Sequence, residues 1–151
     1  LLKQIEDYDH FSARNKLLSF YYTLFELLAL NRSFILINLK DYKGSLAFLK
    51  PLKRLQKSIK YYIFTLRIET LNLKIDALNN LQLKFLEEAA WLQFIFILNF
   101  WIEDSSPTFE KTDILVEKSI NTSFDLINIQ PIKSAIDLGK FMFNEKMKNK
   151  S

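Results

Sequence analysis

Gly44 and Gly139 are the only glycines in the chain, and Pro51, Pro107 and Pro131 the only prolines. A fold with many tight turns needs far more of both, because glycine supplies positive φ and proline presets a turn. The chain is therefore expected to be helical. No segment alternates apolar and polar residues over the length of a strand, and no repeat at solenoid spacing is visible.

Apolar side chains at three- and four-residue steps mark the helices. After an amphipathic stretch from Leu1 to Tyr8, Ser12 is placed to cap a helix carrying Leu17, Tyr21, Leu24, Phe25 and Leu28 on one face. Asn31 opens a second, shorter helix through Phe34, Ile35, Ile37 and Leu39, and Asp41 to Gly44 make a turn. Pro51 fits the first position of a third helix, where its missing amide hydrogen costs nothing. Leu52, Leu55, Ile59, Tyr62, Ile63 and Leu66 form its apolar side, opposite Lys50, Lys53, Arg54, Lys57 and Lys60. Asn79 and Asn80 mark a break before a fourth helix, roughly Leu83 to Glu103. Ser105 or Ser106 caps a fifth, with Pro107 just inside it and Phe109, Val116, Ile120, Phe124 and Ile127 as its stripe. A sixth begins near Pro131 and reaches about Asn144, before a lysine-rich end, MKNKS, that should fray. The expectation is all-α: an irregular bundle of about six helices in one domain over 1–151, long enough for one core and too short for two.

Chemistry is conspicuous by what is missing. The chain has no cysteine, which removes disulfides, thiolate catalysis and cysteine zinc sites and is compatible with a cytoplasmic origin. His10 is the only histidine, so a triad or a histidine metal site would rest on one residue near a terminus, and an exposed polar role fits it better. Two isolated glycines cannot build a phosphate loop or a dinucleotide fingerprint. The paired carboxylates, Glu87 with Glu88 and Glu103 with Asp104, point about 100° apart on a helix and lack the fixed separation that acid–base catalysis needs. Glu103 and Asp104 read instead as a helix stop placed before the next cap, where negative charge is favoured. No enzymatic activity, metal or cofactor is expected. Apolar residues at 49%, charged residues at 25% and a net charge of +4 describe an ordered globular chain. The first residue is leucine with no signal-like segment after it, so the natural polypeptide is expected to extend upstream.

The run WLQFIFILNFWIEDSSPTFEKTD, Trp91 to Asp113, holds the strongest apolar segment. Ala89 to Ile102 falls short of the roughly 20 apolar residues that span a bilayer, and Gln93 and Asn99 interrupt it, which argues against a membrane anchor. A helix apolar all round must be covered all round, so part of it is expected to meet a partner or a ligand. Gln93 and Asn99 would then pair across a dimer axis, hold the polar end of a bound molecule, or be satisfied by backbone or water. The cations of the third helix read as a solvated face, with phosphates of lipid or nucleic acid as the other possibility.

KLLSFYYTLFELLALNRSFIL, the basic helix, and then FILNFWIEDSSPTFEKTDILVEKSINTSFDL together resemble the C-terminal domain of TetR-family transcriptional regulators over nearly the whole chain. The resemblance implies a regulatory domain that binds a small apolar ligand and forms a homodimer. DNA would be read only by a helix-turn-helix domain upstream, for which nothing before His10 has the length. FWIEDSSPTFEKTD is also locally similar to the TetR-like lipid-binding proteins of ubiquinone synthesis, which makes a lipid or isoprenoid ligand, or a stand-alone lipid or membrane-surface role, the alternative. On this reading Tyr22, Phe25, Phe64, Trp91, Phe94 and Asn99 are the expected ligand pocket. Phe100, Trp101, Phe109, Val116, Ile120 and Phe124 are the expected dimer interface.

Overall fold

A computed structural model describes residues 7–40, 50–68, 76–127 and 130–148. Among these there are six α-helices and no strand: α1 Ala13–Leu30, α2 Arg32–Lys40, α3 Lys53–Thr65, α4 Asp76–Glu103, α5 Glu110–Ile127 and α6 Gln130–Lys148. The amphipathic residues up to Glu6 and the turn at Asp41 to Gly44 lie outside the described residues.

Ser12 caps α1 as expected, its Oγ accepting the amide of Asn15 at 3.2 Å. Asn31 closes α1 and precedes α2: its side-chain amide donates to the carbonyl of Leu27 at 3.0 Å, while its own carbonyl accepts from Ile35. Pro51 stands two residues ahead of α3. The expected break at Asn79 and Asn80 does not exist, because α4 starts at Asp76 and runs through both. Asparagine costs a helix only about 0.7 kcal/mol against alanine, too little to interrupt a segment that tertiary packing supports. The sixth helix likewise runs past Asn144 to Lys148.

α4 is the axis of the bundle. α3 and α5 pack on it, α1 packs on α5, and α2 folds back beside α1. The core draws Leu17, Tyr21 and Phe25 from α1, Ile59 and Ile63 from α3, Trp91, Phe94, Ile97, Leu98 and Trp101 from α4, and Val116 and Ile120 from α5. Burying each such large apolar side chain stabilises the fold by about 1.5–3 kcal/mol before conformational entropy is subtracted.

Polar bonds fix how the helices register. On the α1–α5 seam Arg14 pairs with Asp125 at 2.7 Å, bonds Asn121 at 3.3 Å and lies 5.4 Å from the ring centre of Phe124. Lys60 pairs with Glu88 between α3 and α4. Tyr62 of α3 donates to the carbonyl of Lys16 at 2.8 Å, shares a 2.5 Å hydroxyl contact with Tyr8 and stacks on Phe20.

The full extent of α4 changes one inference from the sequence. Residues 79–103 satisfy the length and composition of a membrane span, so shortness does not argue against one. What distinguishes this helix is its packing: Trp91, Phe94, Ile97, Leu98 and Trp101 are buried at the centre of the bundle, as in the core helix of a globular domain.

Candidate ligand core, capping joint and exposed faces

Five aromatic side chains meet where α1 crosses α4. Tyr21 stacks on Phe25 at 6.3 Å between ring centres, and Phe25 in turn lies 6.1 Å from both Phe94 and Trp101. Trp91 stacks on Phe94 at 5.5 Å. The Tyr21 hydroxyl donates to the carbonyl of Ala90 at 3.3 Å, and burial pushes its pKa well above the usual tyrosine value. The indole N–H of Trp101 is buried and finds no acceptor among the described residues. An orphaned donor of this kind costs about 1–3 kcal/mol.

Of the residues expected to line a pocket, Phe25, Trp91 and Phe94 converge here. The other three do not. Tyr22 sits on the next face of α1, where burial first and then Glu117 and Asp113 of α5 raise its pKa. Phe64 is exposed on α3, and Asn99 is exposed on α4. Gln93 is held within the chain, donating to the Ser123 hydroxyl of α5 at 3.0 Å.

The residues expected at an interface divide in the same way. Trp101, Val116 and Ile120 are 0% exposed, covered by the protein's own helices, and so offer no side-chain surface to another subunit. Phe109 is half-buried against Trp101, and Phe124 is half-buried under Arg14. Phe100 alone of the six is exposed, at 39%. The reason is that the apolar stripe of α5 is spent on α1 and α4. α4 carries one open apolar stripe, beside other exposed apolar side chains on α2 and α6: Leu81, Phe85, Leu92 and Phe96 recur at four- and seven-residue steps and all are exposed, Phe85 at 70%. That spacing is visible in the sequence once the helix is known to start before Leu81.

Below the aromatic cluster, α4 ends in a joint that sequence reasoning read only in part. Arg32, the first residue of α2, donates to the carbonyls of Trp101 at 2.7 Å, Ile102 at 2.9 Å and Asp104 at 3.2 Å. Its guanidinium lies 4.7 Å from the ring centres of both Trp101 and Phe109. It thus satisfies carbonyls that a helix end leaves unpaired and adds a cation–π sandwich. Asp104 is 6% exposed. One carboxylate oxygen accepts the Ser106 amide at 2.9 Å and hydroxyl at 2.7 Å; the other accepts the Thr112 amide at 2.9 Å and hydroxyl at 2.6 Å. Desolvation works to raise its pKa, but the four donors prevail and bring it down to about 2. Ser106 adds a second cap, its Oγ accepting the Lys111 amide at 3.2 Å. The expectation of an acidic helix stop beside a serine cap holds, with Asp104 itself as a cap of α5. Between them, Pro107 to Phe109 form a short 3₁₀ turn in which Thr108 and Phe109 take φ of 51° and 63°. Two consecutive left-handed residues without glycine are strained, and the bonds around them over-determine the turn.

Among the described residues six helices pack around an aromatic centre, which defines the class as an all-α helical domain. The sequence model of the tetracyclin repressor-like C-terminal domain matches residues 16–142, and the chain belongs to that family. No curated protein and no solved structure matches it significantly. Domains of this family are regulatory, not enzymatic.

Proposed function

We propose that this chain is the regulatory portion of a TetR-like transcriptional repressor, which binds a small apolar ligand and works as a homodimer in the cytoplasm. The observation that carries the reading is membership of residues 16–142 in a family of repressor C-terminal domains. DNA recognition would belong to a helix-turn-helix domain preceding it on the same polypeptide. The Phe25, Trp91 and Phe94 cluster supports a ligand site at the crossing of α1 and α4, since apolar ligands are received by aromatic walls with few polar groups. The exposed stripe of α4 supports dimerisation, because contiguous apolar surface on a globular protein marks an interaction site. Phe100, at the end of that stripe, would contribute directly. Phe109 and Phe124 would contribute by their exposed edges, and Trp101, Val116 and Ile120 by holding the helices that present it. Ligand would act by favouring one spacing of the two upstream domains over another, which requires different affinities for the two.

Two measurements test this. Sedimentation at micromolar concentration should show a dimer, and a strict monomer would end that half of the reading. Emission from Trp91 and Trp101 should change saturably with an apolar compound from a panel of long-chain alcohols, isoprenoids and aromatic hydrocarbons. A flat response to every one would end the other half. A saturable response to isoprenoids alone, in a chain whose native polypeptide lacks a helix-turn-helix, would favour the stand-alone lipid binder.

A further inference from the structure

The charge of this protein is unevenly placed. From Tyr42 to Ile68 the sequence carries seven lysines and arginines and no acid; the remaining 14 of its 21 cations are set against all 17 acids. The described part of this basic segment is α3 with its flanks. At 100° per residue, Lys53, Arg54, Lys57, Tyr61 and Phe64 fall within one arc of about 100°. All five are exposed, Tyr61 at 70% and Phe64 at 54%. The opposite side of the helix, Ile59 and Ile63, is buried against the bundle. Lys60, at the edge of the arc, pairs with Glu88 of α4; Lys53, Arg54 and Lys57 have no ion-pair partner among the described residues.

We infer that this face of α3 is a docking surface for an anionic lipid bilayer, used by the folded domain lying against the membrane and not crossing it. Charge complementarity sets the sign of the partner. A second copy cannot cover the face with the same face, because cation would meet cation. Nucleic acid would satisfy the charges through its phosphates, but the aromatic rings stand one turn beyond the cations and are not interleaved with them, as stacking on successive bases requires. A bilayer surface takes both kinds of group at once: lysine and arginine at the headgroup phosphates, tyrosine and phenylalanine at the boundary with the acyl chains. The inference stands apart from the proposed function, since it uses neither the aromatic core nor the α4 stripe.

The test is vesicle flotation with the full 151-residue chain. One set of vesicles is phosphatidylcholine alone; the other contains about one part in three of phosphatidylserine. Each cation near an anionic surface strengthens binding by about fivefold, so the triple variant Lys53→Gln, Arg54→Gln, Lys57→Gln should lower partition to the anionic vesicles by about a hundredfold. Tyr61→Ser with Phe64→Ser should lower it severalfold while leaving any retention on duplex DNA unchanged. These side chains are exposed, and circular dichroism should show both variants folded. Binding to anionic vesicles that fades with added salt and falls in both variants is the expected result. Three results would overturn the inference: no partition to anionic vesicles at low salt, equal partition to neutral vesicles, or a loss confined to DNA retention in the triple variant.

Discussion

Replacing Asp104 by alanine removes the acceptor for four donors at once. Two of these, the amide and hydroxyl of Thr112, belong to a residue with 0% exposure and would be left buried without partners. The Ser106 donors are half-exposed and can turn to water. A buried donor left unsatisfied costs about 1–3 kcal/mol, and bonds to an ionised group lie at the upper end, so Asp104→Ala should cost about 3 kcal/mol. For a domain of this size that is a fall in Tm of about 6–12 °C. Asp104→Asn keeps one acceptor oxygen but presents an amide to the other pair of donors, and should cost about 2 kcal/mol. The pH dependence carries the same signature. The carboxyl sits at about 2 in the folded protein against 3.8 for an ordinary aspartate, so the unfolded chain binds more protons between those limits. Its contribution is therefore complete above about pH 4, and is lost as pH falls through about 2. Urea unfolding followed by circular dichroism, at one protein concentration and several pH values, measures both effects. If Asp104→Asn unfolds within about 0.5 kcal/mol of the parent and keeps its acid dependence, the carboxylate does not hold the joint as described.

Arg32→Ala should destabilise by about 2–4 kcal/mol, through loss of three charge-assisted bonds and the ring sandwich; Arg32→Lys should recover only part of this, because an ammonium cannot reproduce the planar fork. Trp101→Ala should cost about 3–5 kcal/mol in the same urea assay, as expected for a large aromatic at full burial. Leu92→Gln with Phe96→Gln should shift sedimentation from dimer to monomer with little loss of unfolding free energy per chain, whereas a variant that stays dimeric would move the interface elsewhere. Gln93→Ala and Ser123→Ala should each cost about 1 kcal/mol and should couple in a double-mutant cycle.

Much of the helix order could be read along the chain because its cues are local. Ser12 caps three residues ahead, and the α1 stripe repeats within single turns, so both survive in the folded protein. The start of α4 could not be read this way, since Asn79 and Asn80 disfavour helix only weakly and the packing that overrides them comes from residues distant in sequence. The apolar stripe of α5 announced that Val116 and Ile120 are covered, but periodicity does not say by what; α1 and α4 cover them, not a second subunit. Phe64 shows the converse, an aromatic among core-forming neighbours that falls on the open side of α3. Arg32 left no trace, because its partners are main-chain carbonyls some seventy positions away, and every sequence has carbonyls.

Connections between helices are ordinarily where a protein absorbs added or lost residues. The joint from Asp104 to Thr112 should behave in the opposite way. Asp104 faces two directions: its main-chain carbonyl takes Arg32 of α2, and its carboxylate takes the first turn of α5. One residue inserted at the start of α5, ahead of Thr112, would move that residue about 1.5 Å along the axis and about 100° around it, away from both oxygens. Length here is thus as constrained as composition is in the core. Descendants of this sequence should vary freely in what Ser105 or Pro107 is, and hardly at all in how many residues separate Asp104 from Thr112.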